Sequence, residues 1–111
     1  MIKVEAVVVR ERVETVIDAV EEETGHVGVT VIEAIGHGRE RGVTHEYRGR
    51  TFESRFLPKA LLTFVVVDAL AEQVVAAIGD AARTGHSSGD GLCWAVPVSN
   101  VVHHRTGERL G

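Results

Sequence analysis

Apolar and polar positions alternate at the start of the chain, with Ile2, Val4, Ala6 and Val8 on one side of an extended backbone and Lys3 and Glu5 on the other. The run becomes continuously apolar from Ala6 to Val9, which predicts a well-buried strand over residues 2–10. From Glu11 the period lengthens. Val13, Val16, Ile17 and Val20 recur at i, i+3, i+4 and i+7, Glu14, Asp18, Glu21 and Glu22 face away, and Gly25 stops the pattern, so an amphipathic helix is expected. Gly28 to Ile35 and Ala60 to Val67 are β-branched stretches of strand length. Asp68 is placed as the N-cap of a second helix through Arg83, with Leu70, Val74, Val75, Ile78, Ala81 and Ala82 as its apolar stripe. Leu92 to Val98 supplies a fourth strand, Pro97 marking an edge or end. The order βαββαβ predicts an α+β domain with an antiparallel, split βαβ sheet.

One stretch does not fit this regular pattern. Between Gly36 and Pro58 the chain carries Gly38, Gly42 and Gly49 and the charged residues Arg39, Glu40, Arg41, Glu46, Arg48, Arg50, Glu53 and Arg55. A connection this long inside a small domain is usually functional, and the plainer alternative is an extended β-hairpin that only decorates the sheet.

Composition narrows the picture. At 111 residues the chain is one domain, spanning residues 1–111, and with 44% hydrophobic but only 5% aromatic residues its core must be aliphatic. The lone cysteine, Cys93, has no internal partner, and the first residues show no secretory pattern, so a reducing cytoplasm is expected. No apolar run approaches the length of a membrane span. A net charge of −4 gives no overall attraction to nucleic acid. All basic residues except Lys3 and Lys59 are arginine, whose planar fork suits phosphate or carboxylate.

Two further segments could carry chemistry. Thr84-Gly85-His86-Ser87-Ser88-Gly89-Asp90-Gly91 can turn backbone N–H groups towards one point as an anion nest; it is not a Walker loop, and Asp90 also suits a plain turn-fixing role. His103-His104-Arg105-Thr106-Gly107-Glu108 offers a guanidinium for phosphate and two histidines. Adjacent histidines on an extended chain point apart, and His26, His37, His45 and His86 are scattered, so no structural metal is expected. No nucleophile elbow or Cys-His-Asp spacing is present, which argues against an enzyme.

Taken together, Gly36-His37-Gly38-Arg39-Glu40-Arg41-Gly42, Tyr47-Arg48-Gly49, Phe56-Leu57-Pro58-Lys59, Thr84-Gly85, Gly89-Asp90-Gly91 and Arg105-Thr106-Gly107-Glu108 resemble the PII nitrogen-regulatory proteins across nearly the whole chain. The resemblance implies a ferredoxin-like subunit of a homotrimer, with a T-loop at about 37–57, a B-loop at about 84–91 and a C-loop at about 101–109. It implies an adenine nucleotide (ADP, AMP or ATP) as effector, held between neighbouring subunits, with no cofactor required. By motif position, Gly36, His37, Gly38, Arg39 and Glu40 would lie at the T-loop base, Lys59 at the phosphate or 2-oxoglutarate end, and Gly89, Asp90 and Gly91 around phosphates. Gly28, Val29, Thr30, Thr63, Val65, His103 and Arg105 would complete the site, those around Gly28 and Arg105 coming from the adjacent subunit. Arg41, Tyr47, Arg48, Arg50, Phe52 and Arg55 would meet a protein target such as a transporter or metabolic enzyme.

The departures from the family pattern matter as much. Glu40 stands where a glutamine is usual, Phe52 where the modifiable tyrosine is, Leu92 where a lysine follows Gly-Asp-Gly, His103 where an arginine is usual, and Thr63 where an acid is. The B-loop is one residue longer. Without the tyrosine hydroxyl, uridylylation or adenylylation at position 52 is chemically impossible. A lost cation at about 4 Å removes a Coulomb attraction of about 4 kcal/mol at an effective dielectric of about 20, before desolvation, so triphosphate binding should suffer most. ADP or AMP is therefore expected over ATP, and Glu40 should repel 2-oxoglutarate. The rival expectations are a PII-like sensor of bicarbonate or another small anion linked to carbon transport, a CutA-like trimeric metal-binding protein using His86, His103 and His104, and a structural trimer that has lost its ligand.

Overall fold

The computed structural model describes residues 1–37, 44–47, 50–53, 56–85 and 89–111, the strands over 44–47 and 50–53 in their backbone alone. The alternation at the start of the chain becomes β1 (Ile2–Val9), followed by a 3₁₀ turn at Arg10–Arg12 and helix α1 (Val13–Thr24). Then come β2 (Thr30–Gly36), β3 (Thr44–Tyr47), β4 (Arg50–Glu53) and β5 (Leu57–Val66). A 3₁₀ turn at Asp68–Leu70 leads into α2 (Ala71–Ala82), and β6 (Cys93–Pro97), β7 (Val101–Val102) and β8 (Arg109–Leu110) complete the chain.

β2, β5, β1 and β6 form one antiparallel sheet in that order. This is the ferredoxin-like arrangement: β1 and β2 run parallel, as a helix crossover requires, with β5 inserted between them. Among the described residues β3 pairs only with β4, and β7 only with β8. β3 and β4 thus form a short antiparallel ladder inside the segment assigned to the T-loop.

The core lies on one face of the sheet. Val4, Ala6 and Val8 of β1 and Ala60, Leu62, Phe64 and Val66 of β5 point into it and meet Val16 and Val20 of α1 and Val74, Ala77, Ile78 and Ala82 of α2. A period of two on the strands and of 3.6 on the helices thus meet in one aliphatic cluster in which, among the described residues, Phe64 is the single aromatic ring. Gly25 closes α1 in the left-handed conformation at φ 77°, its N–H donating to the Glu21 carbonyl at 2.8 Å.

Two expectations at helix starts need correction. Asp68 does not cap α2, because a 3₁₀ turn precedes the helix and Val67 occupies the cap position of that turn; the Asp68 carboxylate instead pairs with the Met1 ammonium at 2.9 Å. Likewise α1 begins at Val13, since the Arg10–Arg12 turn intervenes between it and β1. No helix among the described residues is long and apolar enough to cross a membrane.

Phe64 is the largest fully buried side chain among the described residues. Phe64→Ala should therefore cost about 3–5 kcal/mol of stability through lost transfer energy and an unfilled cavity, read as a lower urea midpoint at unchanged slope.

Candidate functional site

The sheet register gathers two of the three candidate segments at one end. Val9, Lys59 and Ala34 lie side by side across β1, β5 and β2, so the last residues of β1 sit beside the base of the 37–57 segment. On the other side of β1, the Val7 N–H donates to the Leu92 carbonyl at 2.9 Å and brings the end of the 84–91 segment against the same strand.

Glycine is required at both contacts. At Gly91, with φ 102°, a Cβ would lie 1.8 Å from the Val7 carbonyl oxygen, so any side chain would drive the loop off β1. At Gly36 a Cβ would stand 2.8 Å from Cγ of Lys59, whose stem crosses the glycine and leaves the lysine only 3% exposed. His37 and Phe56 close the base of the same segment, their ring centroids 5.6 Å apart.

The 84–91 segment is clasped at its neck. Asp90 accepts from the Thr84 hydroxyl at 2.5 Å through Oδ1 and from the Thr84 N–H at 3.2 Å through Oδ2. This favours the turn-fixing role for Asp90, whose carboxylate closes the neck of the loop. The extra residue relative to the family pattern falls inside a loop whose ends are already tied. Leu92, where a lysine is usual, is 75% exposed.

The remaining described candidates lie elsewhere. Thr30 pairs with Thr63, four residues along β5 from Lys59, or about 13 Å, and Val65 is about 20 Å away. Gly28 and Val29 precede Thr30 in the connection from α1. His103 and Arg105, both exposed, belong to the turn between β7 and β8. That hairpin springs from the opposite end of the sheet, where the Val98 N–H donates to the Met1 carbonyl at 3.1 Å and Gly111 lies against Met1. Gly38, Arg39, Glu40, Arg41, Arg48, Arg55 and His86 lie outside the described residues, and Tyr47, Arg50 and Phe52 are described in backbone only. Among the described residues no three His, Cys, Asp or Glu side chains come together as a metal site.

Sequence reasoning missed several side chains that hold these parts. His26 donates through Nε2 to the Gly28 carbonyl at 2.7 Å and packs edge-on to Phe64, which fixes the approach to Thr30. Arg10 Nη2 donates to the Ala34 carbonyl at 3.3 Å, and Arg12 donates through Nε and Nη2 to the Ala81 carbonyl at 3.0 and 2.7 Å. No periodicity points to such contacts, because each runs from a side chain to a distant backbone oxygen. On the sheet face away from the helices, Glu5 accepts from Thr63 at 2.9 Å and Trp94 at 3.4 Å, with the Lys3 ammonium at 3.3 Å. The Thr63 hydroxyl, helped by Lys3 and Trp94 against partial desolvation, holds the Glu5 carboxyl below its ordinary range.

This geometry defines a class: a ferredoxin-like domain with the glycine-bearing roots of two loops at one end of its sheet and the sheet face away from the helices open. The family model for nitrogen regulatory protein P-II matches residues 1–108, and the chain belongs to that family. It is similar to nitrogen regulatory protein P-II of Azospirillum brasilense, 42% identical over 111 residues that span 100% of this chain and 97% of the relative. The Rhodospirillum rubrum protein of the same description is 40% identical over 111 residues, again 100% and 97% of the two chains. That of Rhizobium meliloti is 42% identical over 108 residues, 97% and 95%.

Two outcomes follow from the geometry. Gly91→Ala should detach the loop from β1 and cost about 2 kcal/mol or more, seen as a lower melting temperature with faster amide exchange at Val7. Because the Glu5 pKa is depressed in the folded chain, its contribution to stability is present above the ordinary value of 4.5 and is lost as pH falls through the folded value. Urea titrations between neutral and acid pH should therefore show wild type converging on Glu5→Gln as the medium acidifies.

Proposed function

We propose that this P-II family member is a signal-transduction regulator and not an enzyme. In this reading it binds an adenine nucleotide in clefts between copies of itself in a homotrimer. ADP or AMP is preferred over ATP, and the occupied state is passed to a transporter or metabolic enzyme through the 37–57 segment.

The observation that carries the reading is the division of the candidate residues. Gly36 and Lys59, at strand ends, and Gly89, Asp90 and Gly91, in a loop tied to β1, lie at one end of the sheet, whereas Thr30, Thr63, Val65, His103 and Arg105 lie further along it or spring from its far end. One chain thus carries two half-sites, and a second copy presenting its far half to the first's loops would complete the constellation. Backbone amides near Gly91, the Lys59 ammonium and the Arg105 guanidinium would then meet phosphate. Arg39, Lys59 and Arg105 retain cationic character, while Leu92 contributes none and His103 contributes charge only when protonated. That deficit weighs on the third phosphate. The nucleotide's differential contacts with the loop bases would select among arrangements of the 37–57 segment, whose arginines suit an acidic surface on the target.

Calorimetry with AMP, ADP and magnesium-ATP tests the proposal. ADP or AMP should bind at least about tenfold more tightly than magnesium-ATP, the change expected from about 1.4 kcal/mol of lost phosphate contact. Tight magnesium-ATP binding strengthened by 2-oxoglutarate would overturn the preference, and no heat with any nucleotide would overturn the site.

A further inference from the structure

We propose that the short turn at Arg10–Arg12 mechanically couples the two loop bases, with Arg10 and Arg12 as positioning residues. Arg10 reaches across β5 to the Ala34 carbonyl, two residues before Gly36 at the root of the 37–57 segment. Arg12 places both Nε and Nη2 on the Ala81 carbonyl, three residues before Thr84 at the neck of the other loop. Only Glu11 separates the two arginines, and the Val13 N–H closes the turn onto the Arg10 carbonyl. The element joining the two contacts is therefore short and stiff.

Ala81 is in the last turn of α2, where carbonyls lack helical partners and a cation is favoured by the helix dipole, so the Arg12 fork completes that end. On the other side, a cavity of about 390 Å³ bordered by Glu11, Glu14, Val31 and Glu33 separates the turn from β2. Direct packing there is thin, and the Arg10 hydrogen bond spans the gap. A displacement of one loop root moves the turn and is handed to the other; it needs no contact between the loops themselves. The consequence for ligand sensing rests on the nucleotide reading above, whereas the coupling itself is a property of the unliganded chain.

Hydrogen–deuterium exchange on the full chain, with Arg10→Ala and Arg12→Met, separates the two. Without ligand, Arg12→Met should speed exchange about fivefold over residues 83–92, as expected for one lost net hydrogen bond, and to a smaller degree over 34–37. Arg10→Ala should do the converse. A merely local role would speed only the segment each arginine touches, and that outcome overturns the coupling, as would no change in either. If Arg12→Met speeds β1 as well, Arg12→Lys, which keeps the charge without the fork, decides: uniform acceleration there too overturns the proposal as global destabilisation. Added ADP should slow both segments in wild type but only 83–92 in Arg10→Ala. A wild type indifferent to nucleotide would sink the proposed function and leave the ligand-free cross-effect to stand or fall by its own data.

Discussion

β1 is paired on both sides, with β5 along its whole length and with β6 from Ile2 to Ala6. Beyond Ala6 its Val7 amide takes the Leu92 carbonyl, and Val9 stays opposite Lys59. Val4, Ala6 and Val8 fix its register, because a slip of one residue would turn all three out of the core and bring Lys3 and Glu5 in. The bases of two loops of unrelated sequence are thus placed by burial elsewhere. The loops have to supply only their own closure: the Thr84–Asp90 clasp in one, and in the other Gly36 under the Lys59 stem with His37 against Phe56. A loop held at its roots can gain a residue or lose a lysine without disturbing the sheet.

Much of this was legible because it is periodic. The alternation of β1 and the spacing in α1 bury Val4, Ala6, Val8, Val16 and Val20 fully and Ile2, Val13 and Ile17 in part, while alternate residues of the apolar run of β5 enter the core. Even so, Ala77 was not assigned to the α2 stripe, since alanine carries little hydrophobic signal of its own, yet it is fully buried. The two 3₁₀ turns were not legible, because three residues give no period, and they displaced both helix starts and the role of Asp68. β7 and β8 were missed for the same reason. The glycines of the loops were legible as glycines, but their necessity was not: at Gly91 it comes from the Val7 carbonyl, more than eighty positions away in sequence, and at Gly36 from a lysine stem. Arg10, Arg12 and His26 act on carbonyl oxygens, which sequence patterns do not mark.

Family membership and geometry constrain different things. Agreement with P-II relatives over the full chain fixes the family and the fold, while the proposed ligand preference depends on a few charges at the loop bases. In the proposed site, a leucine in place of a lysine would leave a backbone anion nest intact, because Gly91 is positioned by its φ and by β1, not by the neighbouring side chain. In that proposed site the nest's dipoles and the cations would be separable contributions, and the loss of one cation would tune affinity for successive phosphates without abolishing anion binding.

The open sheet face links these arguments to assembly. Trp94, Glu5, Thr63 and Thr30 form one row across β6, β1, β5 and β2, flanked by Val7, Leu61 and Ile32 on one side and by Val65 and Val96 on the other. An unpaired carboxylate in such a row would resist being covered, since desolvating an ion costs several kcal/mol. Glu5 is already met by Thr63, Trp94 and Lys3, so much of what water would give it comes from its own sheet. Covering the face then removes apolar area from water at a smaller electrostatic cost than its charge suggests. Thr30, Thr63 and Val65 lie on or beside this row, within the proposed second half-site. In the proposed trimer, burying the face and completing the ligand site would therefore be one event, which favours a nucleotide that reports on the assembled protein and not on the single chain.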